Sequence, residues 1–101
     1  MAIIANGKTA VTTAGTPVQL VAPTGVSKGK WMTIQPLSTN TGNIYVGNRG
    51  LNKSTLAGVM AILAPTAVPF PIFVEGPALN VEDIWIDGDT NGNAVVSGFA
   101  S

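Results

Sequence analysis

Short apolar runs broken by clusters of Gly, Pro, Asn and Thr set the rhythm of this chain, the strand-and-turn pattern of sandwiches and barrels. No stretch sustains a capped, amphipathic helical period over three turns. Pro17–Ala22 reads as a strand closed by the turn Pro23-Thr24-Gly25. Lys30–Leu37 reads as a second, with Met32 and Ile34 on one face and Trp31, Thr33 and Gln35 on the other. The turn Ser38–Gly42 then leads into a third strand, Asn43–Gly47, and Arg49–Thr55 is an irregular loop. Leu56–Ala64 fits a strand or a short helix, since periodicity does not separate the two over so short a run. In Phe70–Glu75 the prolines confine the strand to an edge or a bulge. Glu82–Asp87 and Asn93–Ala100 flank Gly88-Asp89-Thr90-Asn91-Gly92, which predicts a β-hairpin with a five-residue loop.

The expected fold is therefore all-β: a compact β-sandwich of jelly-roll type with about six to eight short, mainly antiparallel strands. Residues 1–14 form an N-terminal arm or an edge strand, and residues 15–101 the sandwich domain. Asn43–Gly47 and Asp83–Asp87 share a pattern in which Ile44, Val46, Ile84 and Ile86 point into the core. Tyr45 and Trp85 then face outward, where a large ring marks contact with another molecule. The reversed arrangement, with both rings covered, stays open.

Charge changes the picture. Only 10% of the residues are charged and the formal net charge is zero, against ~25% charged residues in an average soluble domain. A small neutral chain with so little charge tends to associate, and burial against other subunits resolves that tendency. Lys8, Lys28, Lys30, Arg49 and Lys53 are dispersed, so no basic patch for nucleic acid is expected. Thr55–Val74 is uncharged and about long enough to span a bilayer. Its prolines at 65, 69 and 71 remove donors that a spanning helix needs, so no membrane segment is expected. The first residues lack the basic and apolar regions of a secretory signal.

The chain has no histidine and no cysteine, which removes the commonest general base, the triads and most zinc sites. Asp83 and Asp87 on one strand would stand about 13–14 Å apart, beyond the ~5–9.5 Å spacing of glycosidase carboxylates. No enzyme activity and no cofactor are expected. Asp87-Gly88-Asp89-Thr90-Asn91-Gly92 matches the opening of a calcium loop, with Asp87, Asp89 and Asn91 as ligands. The glutamate due at its twelfth position is Gly98, so a plain Asx-rich turn is the better reading.

Asn40-Thr41-Gly42-Asn43-Ile44-Tyr45-Val46-Gly47, followed by Asp83-Ile84-Trp85-Ile86-Asp87-Gly88 and a last strand over 93–99, resembles small structural proteins of tailed bacteriophages. The similarity spans about residues 17–99, and Leu56–Phe73 is more apolar and richer in proline than the pattern. The resemblance implies a virion component assembled in the host cytoplasm. Its implied role is capsid decoration, or cement: binding the outer capsid surface and bridging subunits of the major capsid protein, as a homotrimer or dimer. Candidate contact residues are Met60, Ile62, Leu63, Phe70 and Phe73, from a segment with more apolar surface than a small core needs, together with Tyr45 and Trp85. A core role for the first five fits almost as well. The alternative is a tail or head-fibre component that binds a receptor or glycan through Trp31, Tyr45 and Trp85.

Overall fold

The computed structural model describes residues 3–20, 28–73 and 79–100. Their strands are β1 (Ile3–Ala10), β2 (Val18–Gln19), β3 (Lys28–Gly29), β4 (Trp31–Pro36), β5 (Ile44–Gly47), β6 (Val59–Leu63), β7 (Phe70–Phe73), β8 (Leu79–Asn80), β9 (Trp85–Gly88) and β10 (Ala94–Ala100). Eight of them build two four-stranded antiparallel sheets, ordered β1-β10-β4-β7 and β2-β9-β5-β6, while β3 and β8 pair separately. Read from the same end, the two orders place each strand where the other sheet has its chain neighbour: β1 with β2, β10 with β9, β4 with β5, β7 with β6. The chain is an all-β sandwich with jelly-roll strand order. The ends of the expected strands at 21–22 and 74–75, and the turn at 23–25, lie outside the described residues.

Alternation decides what is inside. Met32 and Ile34 of β4, Val95 and Phe99 of β10, Ile44 and Val46 of β5, and Ile86 of β9 are all buried in one cluster between the sheets. Leu63 of β6 joins it, and Val11, Leu20, Val81 and Ile84 complete it from the segments between strands. Each such side chain contributes about 1.5–3 kcal/mol by leaving water. The ambiguous segment 56–64 is a strand over Val59–Leu63, because Leu63 faces the core while Ile62 faces solvent, a period of two. β7 carries Pro71 and stands at the edge of its sheet, where a missing N–H breaks no ladder bond. Among the described residues no helix is long and apolar enough to cross a membrane.

Two local expectations are corrected. The strand expected to begin at Glu82 begins at Trp85 instead, because Val81–Asp83 forms one turn of 3-10 helix. The Asn80 side chain caps that turn by accepting the Glu82 N–H at 3.3 Å. The expected hairpin over 82–100 is absent: β9 pairs with β2 and β5, whereas β10 pairs with β1 and β4 in the other sheet. Residues 89–93 therefore arch from one sheet to the other. Among the eight strands of the main sheets, only β5 and β6 are chain neighbours that also pair with each other.

The arches at this end of the sandwich are braced by Asn and Asp side chains. Asn93 accepts the Thr41 N–H at 3.0 Å and returns its amide to the Thr41 carbonyl at 2.7 Å. Asn40 does the same with Ala94, accepting its N–H at 2.8 Å and donating to its carbonyl at 2.9 Å. Each amide thus stands in for a strand partner where the ladder runs out. The third arch, 11–17, joins through Asn91, which accepts the Ala14 N–H at 2.8 Å, and through Val11, whose N–H donates to the Asn93 carbonyl at 2.7 Å. Gly42 sits at φ +80°, and a Cβ there would come within 2.7 Å of the Asp89 Cβ, so this position admits glycine alone.

Asn93 is buried and both its bonds are to backbone, so Asn93→Ala should cost about 2–3 kcal/mol. Urea unfolding checks this: the midpoint should fall with an unchanged slope. An unaltered midpoint would mean that the brace contributes nothing.

Candidate functional site

Outside the core, the aromatic rings Tyr45 and Trp85 and the exposed apolar side chains Met60 and Ile62 of β6 lie on the outer face of the second sheet. Two cross-strand rows define it. One runs Gln19–Trp85–Gly47 across β2, β9 and β5; the other runs Asp87–Tyr45–Ile62 across β9, β5 and β6. Tyr45 and Trp85 are half-buried on this face, while Ile44, Val46, Ile84 and Ile86 are buried beneath. Trp31 lies half-buried on the outer face of the first sheet.

The loop 48–58 folds over the face and is held by its own polar groups. Asn52 accepts the N–H groups of Ser54 and Thr55 at 2.9 and 3.1 Å, and its own N–H donates to the Ala57 carbonyl at 2.8 Å. Leu51 is buried beneath the loop, and Lys53 reaches the Gly88 carbonyl at 2.9 Å. Leu56 has φ +64°, a left-handed conformation that costs a non-glycine residue about 1–3 kcal/mol. Close by, Gly47 faces the loop so tightly that a Cβ would meet the Gly58 carbonyl.

The contact candidates separate clearly. Leu63 belongs to the core cluster, and Phe70 packs against it half-buried. Met60 and Ile62 stand exposed; Met60 lies where the β5–β6 register shifts, opposite the step from Val46 to Gly47. The side chain of Phe73 lies outside the described residues.

The turn that matches a calcium loop turns its groups elsewhere. Asp87 is buried, and its Oδ1 accepts the N–H groups of Gly15 at 3.0 Å and Gly88 at 2.8 Å. Asp89 accepts the Asn43 N–H at 2.8 Å and the Tyr45 hydroxyl at 2.9 Å, and Asn91 is taken by Ala14. Asp87 and Asn91 are bonded to the arch 11–17 and Asp89 to Asn43 and Tyr45, so all three are Asx braces. Among the described residues no group of three or more acidic, His or Cys side chains is gathered to hold a metal.

The Asn43 N–H beside Asp89, helped by the Tyr45 hydroxyl and the nearby Lys53 charge, holds the Asp89 carboxyl below its ordinary value. The same hydrogen bond to Asp89 raises the Tyr45 phenol, with burial and the Asp89 charge acting in the same direction.

Sequence reasoning singled out Trp85 but not its neighbours. Gln19, Asn48, Arg49, Glu82 and Asp83 surround it in a depression of 360 Å³. The Arg49 guanidinium lies 5.8 Å from the centroid of the Trp85 ring. These residues come from three stretches far apart in the chain, and only an outward Trp flagged the place in advance.

No protein-family model, no characterised protein and no solved structure matches this chain.

The Tyr45–Asp89 contact sets a pH window. A depressed Asp89 contributes stability that is present above its unfolded value, about 3.9, and lost as pH falls through the lower folded value. A raised Tyr45 contributes stability that is full below its unfolded value, about 10, and lost as pH rises through the higher folded one. Tyr45→Phe should remove the alkaline limb and move the Asp89 titration, followed by carboxyl ¹³C shifts, upward. The Asn43 N–H should keep Asp89 below an unperturbed aspartate. An unmoved titration would show that the hydroxyl does not stabilise the carboxylate.

Proposed function

We propose that this chain is a non-catalytic structural protein of a tailed-bacteriophage virion: a decoration protein that attaches to the outer capsid surface and bridges major capsid protein subunits. One observation carries the reading. Residues 55–73 contain no charge. They also supply four of the large apolar side chains standing in solvent: Leu56 (49% exposed), Met60 (51%), Ile62 (48%) and Val68 (80%). Apolar groups concentrated in one uncharged segment mark a surface that works covered. The remainder of a neutral surface gives no electrostatic reason for binding nucleic acid.

Strain at Leu56 supports the same segment. Its left-handed backbone is retained by hydrogen bonds from its N–H to the Asn52 carbonyl and from the Val59 N–H to its own carbonyl, while its side chain points into water. A conformational cost that displays an apolar side chain fits a contact made with a partner. Jelly rolls recur in viral shells, and the sequence motifs at 40–47 and 83–88 resemble phage structural proteins; these raise the prior without identifying the site. Binding energy between decoration protein and several capsid subunits at once stabilises the assembled shell by linkage. The protein would do this as a homodimer or homotrimer, with no membrane partner.

Quantitative mass spectrometry of purified particles tests the role. Copies in a simple ratio to the major capsid protein are expected. Absence from particles would sink the proposal, and a handful of copies would move the protein to a tail or fibre. Ile62→Glu, on an exposed position, should change folding stability by no more than about 0.5 kcal/mol and reduce shell attachment at least tenfold. Leu56→Gly should stabilise the free protein by about 1 kcal/mol by relieving the left-handed strain and still weaken attachment. Attachment unchanged in both variants would exclude this strip as the contact.

A further inference from the structure

The depression around Trp85 has a chemistry that shell attachment through the apolar strip does not use. Its volume, 360 Å³, falls at the lower end of the ~300–1,000 Å³ range of small-molecule sites. Trp85 stands on the outer face of β9, between Gln19 of β2 and Gly47 of β5. Gly47 contributes no side chain, so the indole is the large flat group of its row. Asn48 and Arg49 form one wall from the loop after β5, and Glu82 and Asp83 form the other from the 3-10 turn.

Several of these groups are held in place. The Gln19 amide donates to the Glu82 carbonyl at 2.9 Å, which orients its oxygen as an acceptor. Asn48 accepts the Gly50 N–H at 3.1 Å through its oxygen, which orients its NH₂ as a donor. The Arg49 guanidinium lies over the indole, 5.8 Å from its centroid, and carries five donors. The site thus presents an indole with the exposed Arg49 guanidinium over it, an oriented Asn48 amide donor beside it, and carboxylate and amide acceptors on the other side. Arg49 has to turn off the ring for a flat ligand to stack there.

We propose that this depression binds a saccharide, one or two pyranose units in extent. A pyranose ring has an apolar C–H face that packs on an indole, and a rim of hydroxyls that each donate and accept. Carboxylates and guanidinium together answer both halves of that rim, and charge-assisted bonds to hydroxyls are the stronger kind. Other ligand classes fit less well. A phosphate or nucleotide meets two carboxylates against a single guanidinium, a wall of net negative charge. An apolar ligand finds one ring and five polar side chains.

The test is a ¹H–¹⁵N NMR titration of the whole protein with the methyl glycosides of glucose, galactose, mannose and N-acetylglucosamine. Taking each to about 50 mM detects millimolar binding. At least one should shift the Trp85 indole N–H and the side-chain amides of Gln19 and Asn48 in a saturable way. Trp85→Ala should abolish the response. Because Trp85 is half-buried in the sheet, Asp83→Asn on the exposed turn is the second variant. It should keep the wild-type spectrum and weaken binding about tenfold, the loss of one good hydrogen bond. No response from any of the four glycosides, or shifts confined to other residues, overturns the assignment. So does inorganic phosphate moving the same signals when the glycosides do not. Shell attachment plays no part in the measurement, so the saccharide site and the decoration role stand or fall separately.

Discussion

A jelly roll asks its chain to leave one sheet and enter the other at almost every connection, and at those crossings the backbone loses its ladder partners. Buried N–H and C=O groups without partners are expensive, so the crossings are where this fold is most easily lost. Here the debt is met by short amide and carboxylate side chains. Asn40 and Asn93 each act as a two-bond surrogate strand, Asp87 and Asn91 both reach the arch 11–17, and Asp89 reaches Asn43. No buried side-chain polar atom among the described residues is left without a partner. The hydrophobic core fixes how closely the sheets pack; the amides fix which arch lies beside which.

This arrangement gives the two distinctive sequence motifs a common physical meaning. Asn40, Thr41, Gly42 and Asn43 from the first motif touch Asp89, Asn93 and Ala94 beyond the second. They are two halves of one joint. Their residue types follow from that joint, with glycine where a Cβ would strike Asp89 and Asn where both a donor and an acceptor are required. Such residues report architecture.

The alternation of Met32 and Ile34 against Trp31 and Thr33, and of Ile44 and Val46 against Tyr45, made the strands and their inner faces legible from sequence. The link between β9 and β10 was not, because Gly88–Gly92 has the composition of a tight turn whether it returns within a sheet or crosses to another. Pairing is decided by which hydrophobic faces meet, a non-local matter. Asp87 and Asp89 suggested a cation for a related reason: the residue types that ligate calcium also bond to backbone amides. The depression at Trp85 was hidden by distance along the chain, since Gln19, Arg49 and Glu82 become neighbours only when β2, β5 and β9 align. Leu63 and Ile62, adjacent and alike in composition, divide between core and solvent by strand phase alone.

The pairing of Ile3 with Ala100 along β1 and β10 brings the two limits of the sandwich side by side, at the end away from the braced arches. Adjacent antiparallel strands lie within about 5.5 Å, so a segment joined to either limit leaves from the same corner. A fluorescent protein or an affinity handle fused there would hang clear of the Asn-rich arches. Two such fusions on one molecule would be close enough to report on each other by energy transfer. For a protein used as a display scaffold, both tethers would point the same way.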